Sequence, residues 1–249
     1  MRCWLILSAV AVLLICGCQS EVADSRQATT SAVEKVEPAS SSEWGGLKSQ
    51  FAGASLETAQ KVMILLHGYG ASGGDLVPLA NVLGDGKSIA FIFPQAPIRL
   101  GPDSYVWANG SDSEFERSRE QVVALIDQVR TTNPQCRISV GGFSQGATLA
   151  NNLLAEGDPA FDCVVLYSPK HYLWRELATT GTHPRIFLSH GRNDTVLPFS
   201  EAEKLKGVLE ARGFNVDWHP FDGGHELTLE LLESTKQFLS ESSGGSAAF

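Results

Sequence analysis

"GGFSQG", residues 141–146, decides how this chain is read. An apolar run, "RISV" (137–140), precedes it, and a helical pattern, "ATLANNLLAEG" (147–157), follows it. A strand that enters a helix through small residues leaves the middle residue, Ser144, at the apex of a sharp turn. The same alternation recurs on both sides. "KVMILLHG" (61–68), "SIAFIFP" (88–94), "CVVLYS" (163–168), "RIFLSHG" (185–191) and "FNVDWHP" (214–220) read as further strands. The first is apolar throughout, as strands covered on both faces are. Further helical patterns lie between the strands and after the last of them. One spans 75–83, with Asp75 as N-cap and Pro78 in the tolerant first turn. A second spans 112–130, with Phe115, Val122, Leu125, Ile126 and Val129 on one stripe, and a third spans 226–239. Strand–helix alternation of this kind predicts an α/β fold with a mostly parallel sheet and helices on both faces.

The bulk numbers suit that reading. A chain of 249 residues with 43% hydrophobic content can build one core plus extensions. Net charge is −9, which argues against nucleic acid, because binding phosphates needs clustered Lys and Arg. The first segment, "MRCWLILSAVAVLLICGC", has one basic residue and then a short apolar run. It is too short for a membrane span and reads as a signal peptide over 1–17. Gly17 followed by Cys18 resembles the lipobox of bacterial lipoproteins. That resemblance implies cleavage before Cys18, acylation of Cys18 and a membrane anchor on an exported protein; Gln19 favours the outer membrane. Residues 18–43 are rich in Ser, Ala, Thr and Glu and read as a flexible tether. The folded domain is expected over 44–241 and a disordered tail over 242–249. Of five cysteines, three lie at or before position 18. Cys136 and Cys163 remain, each at the start of a strand. If those strands are neighbours, a disulfide between them is geometrically open; the alternative is two small buried apolar groups.

A hydroxyl is a weak nucleophile at neutral pH and needs a base and a cradle for the oxyanion it creates. Gly142-Phe143-Ser144-Gln145-Gly146 is G-x-S-x-G in its required strand–turn–helix context. The remaining requirement is an acid and then a histidine, each just past a strand. "SHGRNDTVLP" offers Asp194 and "FDGGHEL" offers His225. Taken singly, Asp194 reads equally as a turn residue and His225 as a helix cap. Their joint order after Ser144 makes them the acid and base of a Ser–His–Asp triad. His67 ends a strand before a glycine-rich loop, a placement that suits a backbone donor, so the N–H of Tyr69 joins the N–H of Gln145 as an oxyanion hole. His67 and His190 are then loop-ordering and structural residues. Leu197 and Phe199, after Asp194, are candidates for the substrate pocket. Trp107 reads equally as a pocket cover or a core residue. Metal chemistry is a poor fit: there is no H-E-x-x-H, no zinc spacing of cysteines and no phosphate-cradling lysine loop.

"LLHGYGASGGDL", "FPQAPIR", "GGFSQG", "SHGRNDTVLP" and "GGHE" occur in the order seen in the phospholipase/carboxylesterase family of α/β-hydrolases, which includes acyl-protein thioesterases. The chain resembles that family over about residues 47–240. The resemblance implies the α/β-hydrolase fold, a triad of Ser144, Asp194 and His225, and an oxyanion hole from Tyr69 and Gln145. It also implies hydrolysis of small-molecule carboxylic esters or thioesters without a cofactor. Tyr69 and Ala71 stand where the family often has an "HGLGD" stretch. The export signal separates the chain from cytoplasmic thioesterases. No long apolar insertion suggests a lipase lid, so small to medium acyl groups are expected; an esterase on cell-wall or polysaccharide acyl groups, a lysophospholipase, and a non-catalytic surface lipoprotein using the fold as a binding platform stay open as alternatives.

Overall fold

The computed structural model describes residues 41–155, 160–177, 181 and 183–241. The leader over 1–17, Cys18, most of the tether and the tail over 242–249 lie outside the described residues. Strands β1 (Ser41–Trp44), β2 (Leu47–Gly53), β3 (Lys61–Leu66), β4 (Ile89–Pro94), β7 (Arg137–Phe143), β8 (Cys163–Tyr167), β9 (Arg185–Gly191) and β10 (Val216–Phe221) form one eight-stranded sheet. Its spatial order is β1-β2-β4-β3-β7-β8-β9-β10. The β1–β2 and β2–β4 pairs are antiparallel; every pair from β4 to β10 is parallel. A separate hairpin joins β5 (Ile98–Gly101) to β6 (Ser104–Val106).

The central strands are buried on both faces because helices cover both. Val62, Ile64 and Leu66 point into one core with residues of α2 (Asp112–Thr132), α3 (Gln145–Asn152) and α4 (Ser200–Ala211). Met63 and Leu65, one position out of phase, point into the other core with α1 (Leu79–Leu83) and α5 (Leu229–Glu241). On α2 the predicted stripe holds for Val122, Leu125, Ile126 and Val129, all buried. The Ser111 hydroxyl caps that helix by accepting the Glu114 N–H at 3.3 Å. No helix among the described residues is long and apolar enough to cross a membrane.

Several expectations are corrected. The helix expected over 75–83 is split. Residues Gly73–Leu76 make a 3₁₀ turn, and α1 begins only after Pro78, whose ring nitrogen has no hydrogen to continue a ladder. Asp75 is therefore not an N-cap; its carboxylate accepts the Ser72 N–H at 3.0 Å. The last helix starts at Leu229 rather than 226. Strand β1 begins at Ser41, so the end of the stretch expected as tether pairs with β2. Cys136 and Cys163 are both free. They belong to cores on opposite faces of the sheet, and β7 presents Ser139, not Cys136, beside Cys163. The Ser139 hydroxyl lies 3.1 Å from the Cys163 sulfur, and burial pushes that thiol up to about 11.

Candidate active site

The carboxyl ends of the parallel strands converge on Ser144. Its φ of 55° and ψ of −115° lie outside the regions L-residues favour, a conformation that typically costs about 1–3 kcal/mol. The chain holds it there from both sides. The Ser144 N–H donates to the carbonyl of Tyr167 at 2.9 Å, and the Ser144 carbonyl accepts the N–H of Thr148 at 3.0 Å. The flanking glycines are sterically required. A Cβ on Gly142 would lie 2.4 Å from the carbonyl carbon of Gly146, and one on Gly146 would lie 2.2 Å from the Leu66 oxygen. The motif is thus the residue set that lets α3 start directly against β3 and β7.

Asp194 and His225 come from the loops after β9 and β10, and those loops are fastened together. The N–H of Asn193 donates to the carbonyl of Gly223 at 2.9 Å, and Gly191 leaves no room for a side chain, since a Cβ there would be 2.2 Å from the Gly224 oxygen. The Asp194 side chain is fully buried. One carboxylate oxygen, Oδ1, accepts the N–H groups of Val196 and Leu197, each at 2.8 Å. The other, Oδ2, lies 2.6 Å from His225 Nδ1. With Nδ1 as the donor to a carboxylate, the lone pair of His225 is on Nε2. The ring packs against Phe143 at a centroid distance of 4.7 Å and faces the cavity that Ser144 also lines.

Sequence reasoning missed a contact of His190. Its Nε2 lies 3.2 Å from the same Asp194 oxygen and 2.9 Å from the Leu197 carbonyl. Both partners are acceptors, so Nε2 carries the proton, and burial lowers the affinity of this ring for a second one. His67 is the loop-ordering residue expected. Nδ1 meets the Gly68 carbonyl at 2.8 Å and Nε2 accepts the Ala96 N–H at 3.0 Å. Burial drives its pKa down to about 4.

The backbone N–H groups of Tyr69 and Gln145 meet no protein acceptor among the described residues. The Gln145 side chain is committed elsewhere: its oxygen accepts the Trp107 N–H at 2.9 Å and its nitrogen donates to the Ala108 carbonyl at 2.7 Å. The Tyr69 loop is braced by Gly70 N–H to the Tyr105 carbonyl at 2.9 Å. Trp107 is a core residue and not a pocket cover. Its ring is buried and its indole N–H donates to the His67 carbonyl at 2.8 Å. Phe199 is also displaced from the pocket, because α4 starts at the next residue and turns the ring onto Trp218, 5.6 Å away. Leu197 does line the cavity.

That cavity has a volume of about 580 Å³. Besides Ser144 and His225, its walls include Phe115, Phe143, Tyr172, Val196 and Leu197. Phe115 stood on the predicted α2 stripe; it is half-buried, packs against the edge of the core and also lines this cavity. Tyr172 and Lys170 sit in an irregular segment after β8 with no periodic signal. The arrangement offers a strained, cavity-facing hydroxyl, an oriented imidazole and two unengaged amides, a set suited to acyl transfer.

A family model described as Phospholipase/Carboxylesterase matches residues 50–243. Acyl-protein thioesterase 1 of Eremothecium gossypii is 31% identical over 210 residues, covering 75% of this chain and 89% of that protein. The carboxylesterase of Bacillus cereus superposes with a TM-score of 0.66 at 25% identity, over 79% of this chain and 94% of that one. A carboxylesterase from Mesorhizobium loti reaches a TM-score of 0.69 at 17% identity, over 83% and 99% respectively, which is a likeness of fold.

Proposed function

The chain belongs to the phospholipase/carboxylesterase family, and from that premise we propose that it is a serine hydrolase cleaving esters of small to medium acyl chains with Ser144, His225 and Asp194. In the first step His225 Nε2 takes the proton of Ser144 as its oxygen attacks the carbonyl carbon. Asp194 holds the imidazole tautomer and stabilises the imidazolium. The Tyr69 and Gln145 amides receive the oxyanion, each such donor typically being worth about 3–4 kcal/mol. His225 then gives its proton to the leaving alcohol, and a water repeats the sequence to release the acid. The observation that carries this reading is the 2.6 Å contact between His225 and a buried Asp194, on the same cavity as Ser144.

The apolar walls of the cavity support an acyl chain as the recognised group. The likeness to a protein named acyl-protein thioesterase 1 favours thioesters as a second substrate type. The test is hydrolysis of p-nitrophenyl esters from acetyl to palmitoyl by the protein and its Ser144→Ala variant. Serine-dependent turnover with an optimum at short to medium chains is expected; activity retained without Ser144 contradicts the assignment. We also propose, from the leader sequence alone, export and acylation at Cys18. Palmitate labelling that disappears in Cys18→Ser is the expected result, and labelling that persists would contradict it.

A further inference from the structure

Among the described residues lining the cavity, Lys170 is the one with a permanent charge, set in a wall otherwise formed by apolar and neutral polar groups. Its backbone is fixed relative to the nucleophile, and its side chain is exposed. The Lys170 N–H donates to the Thr148 hydroxyl at 3.0 Å, and that hydroxyl donates to the Ser144 carbonyl at 3.1 Å. The ammonium stands 5.7 Å from the Tyr172 ring centroid. Nearby carboxylates are engaged by other groups. Asp112 accepts the Tyr172 hydroxyl. Glu201 accepts the His171 N–H at 3.2 Å and pairs with Lys204 at 3.6 Å. Among the described residues no carboxylate lies within ion-pair distance of the Lys170 ammonium. The chain as a whole carries −9, so its general field repels anions and this cation is a local exception at the site.

Building on the serine-esterase reading, we propose that Lys170 is a specificity residue selecting esters that carry a carboxylate on their acyl or alcohol arm. One ammonium balances a monoanion. It would leave a phosphate dianion only half neutralised, since the lining holds no second cation among the described residues. The contribution is to binding, made alike in ground and transition states, and so is read in KM.

The experiment compares matched esters. For the acyl arm these are mono-p-nitrophenyl glutarate and p-nitrophenyl pentanoate. For the alcohol arm they are the butyrates of 4-hydroxybenzoate and of its methyl ester. The quantity read is the charged-to-neutral ratio of kcat/KM in the protein, in Lys170→Met and in Lys170→Arg. The ratio is expected to fall about two- to fivefold in Lys170→Met on at least one arm, in KM. Lys170→Arg is expected to keep it, and high salt to lower it in the unmodified protein. The arm that responds tells which part of the substrate bears the carboxylate. A ratio equal in Lys170→Met and the unmodified protein on both arms overturns the proposal while leaving the esterase intact. Absence of turnover on both neutral esters overturns the esterase reading and this inference with it.

Discussion

Two loops bring a histidine to the carboxyl end of the sheet, and the two rings are used in opposite ways. His67, after β3, has both nitrogens occupied by backbone groups, at Gly68 and Ala96. Its job is to tie the loop after β3 to the loop after β4, and its burial keeps it neutral. His225, after β10, has one nitrogen on a carboxylate and its ring on the cavity wall. What separates them is whether a nitrogen is left to accept a proton and whether a carboxylate waits to stabilise the cation.

The largest effects break this comparison at its functional end. His225→Gln and Ser144→Ala are each expected to lower kcat/KM by about 10⁴-fold or more, with the urea midpoint nearly unchanged. Asp194→Asn should come close to them, because an amide permits the wrong tautomer. Steady-state kinetics beside denaturant curves read both sides of the split. His67→Gln is expected to show the reverse pattern. Losing its paired ring nitrogens in a buried site should cost about 1–3 kcal/mol of stability, with a smaller loss of turnover through the Tyr69 loop.

Acid sharpens the same contrast. The folded pKa of His67, about 4, is below the ordinary 6.5, so the unfolded chain binds a proton that the folded one does not. Stability from this residue is complete above pH 6.5 and is lost as pH falls towards 4. At about 1.4 kcal/mol per pH unit, lowering pH from 7 to 5 should remove about 2 kcal/mol. Urea titrations should show that slope and should show it reduced in His67→Gln. The smallest expected effect concerns His190, which acts through Asp194. His190→Phe keeps the ring and removes the donor to Asp194 Oδ2, and should lower kcat/KM about fivefold. A shift in the acid limb of the pH–rate profile should accompany it, a change that a packing role alone would not produce.

The fold was readable from the sequence wherever a strand is covered on both sides. "KVMILL" and "RISVGGF" are buried at every position after the first because both faces pack, and the motifs lie at their ends. The two strands at the antiparallel edge, β1 and β2, were not readable. "LKSQFAG" mixes exposed and buried positions and gains its order by pairing with β4, distant in the chain, while "SSEW" forms only a short hairpin with it. α4 went unpredicted although Ala202, Leu205 and Leu209 make a stripe, since three small or medium residues are a thin signal. At the site, order along the chain was enough to nominate Asp194 and His225, because a loop after a parallel strand can only emerge at one end of the sheet. Side-chain direction was beyond its reach. Trp107 turns inward on one hydrogen bond to His67, and Phe199 turns away because a helix begins beside it.

The most direct test of the central claim is labelling of the intact protein with a fluorophosphonate, followed by peptide mass spectrometry. Attack by an activated serine oxygen on phosphorus expels fluoride and leaves a stable phosphonate ester. The account predicts one adduct, on the peptide containing Ser144, and its loss in both Ser144→Ala and His225→Gln. An adduct on another residue, or full labelling of Ser144 without His225, would contradict it.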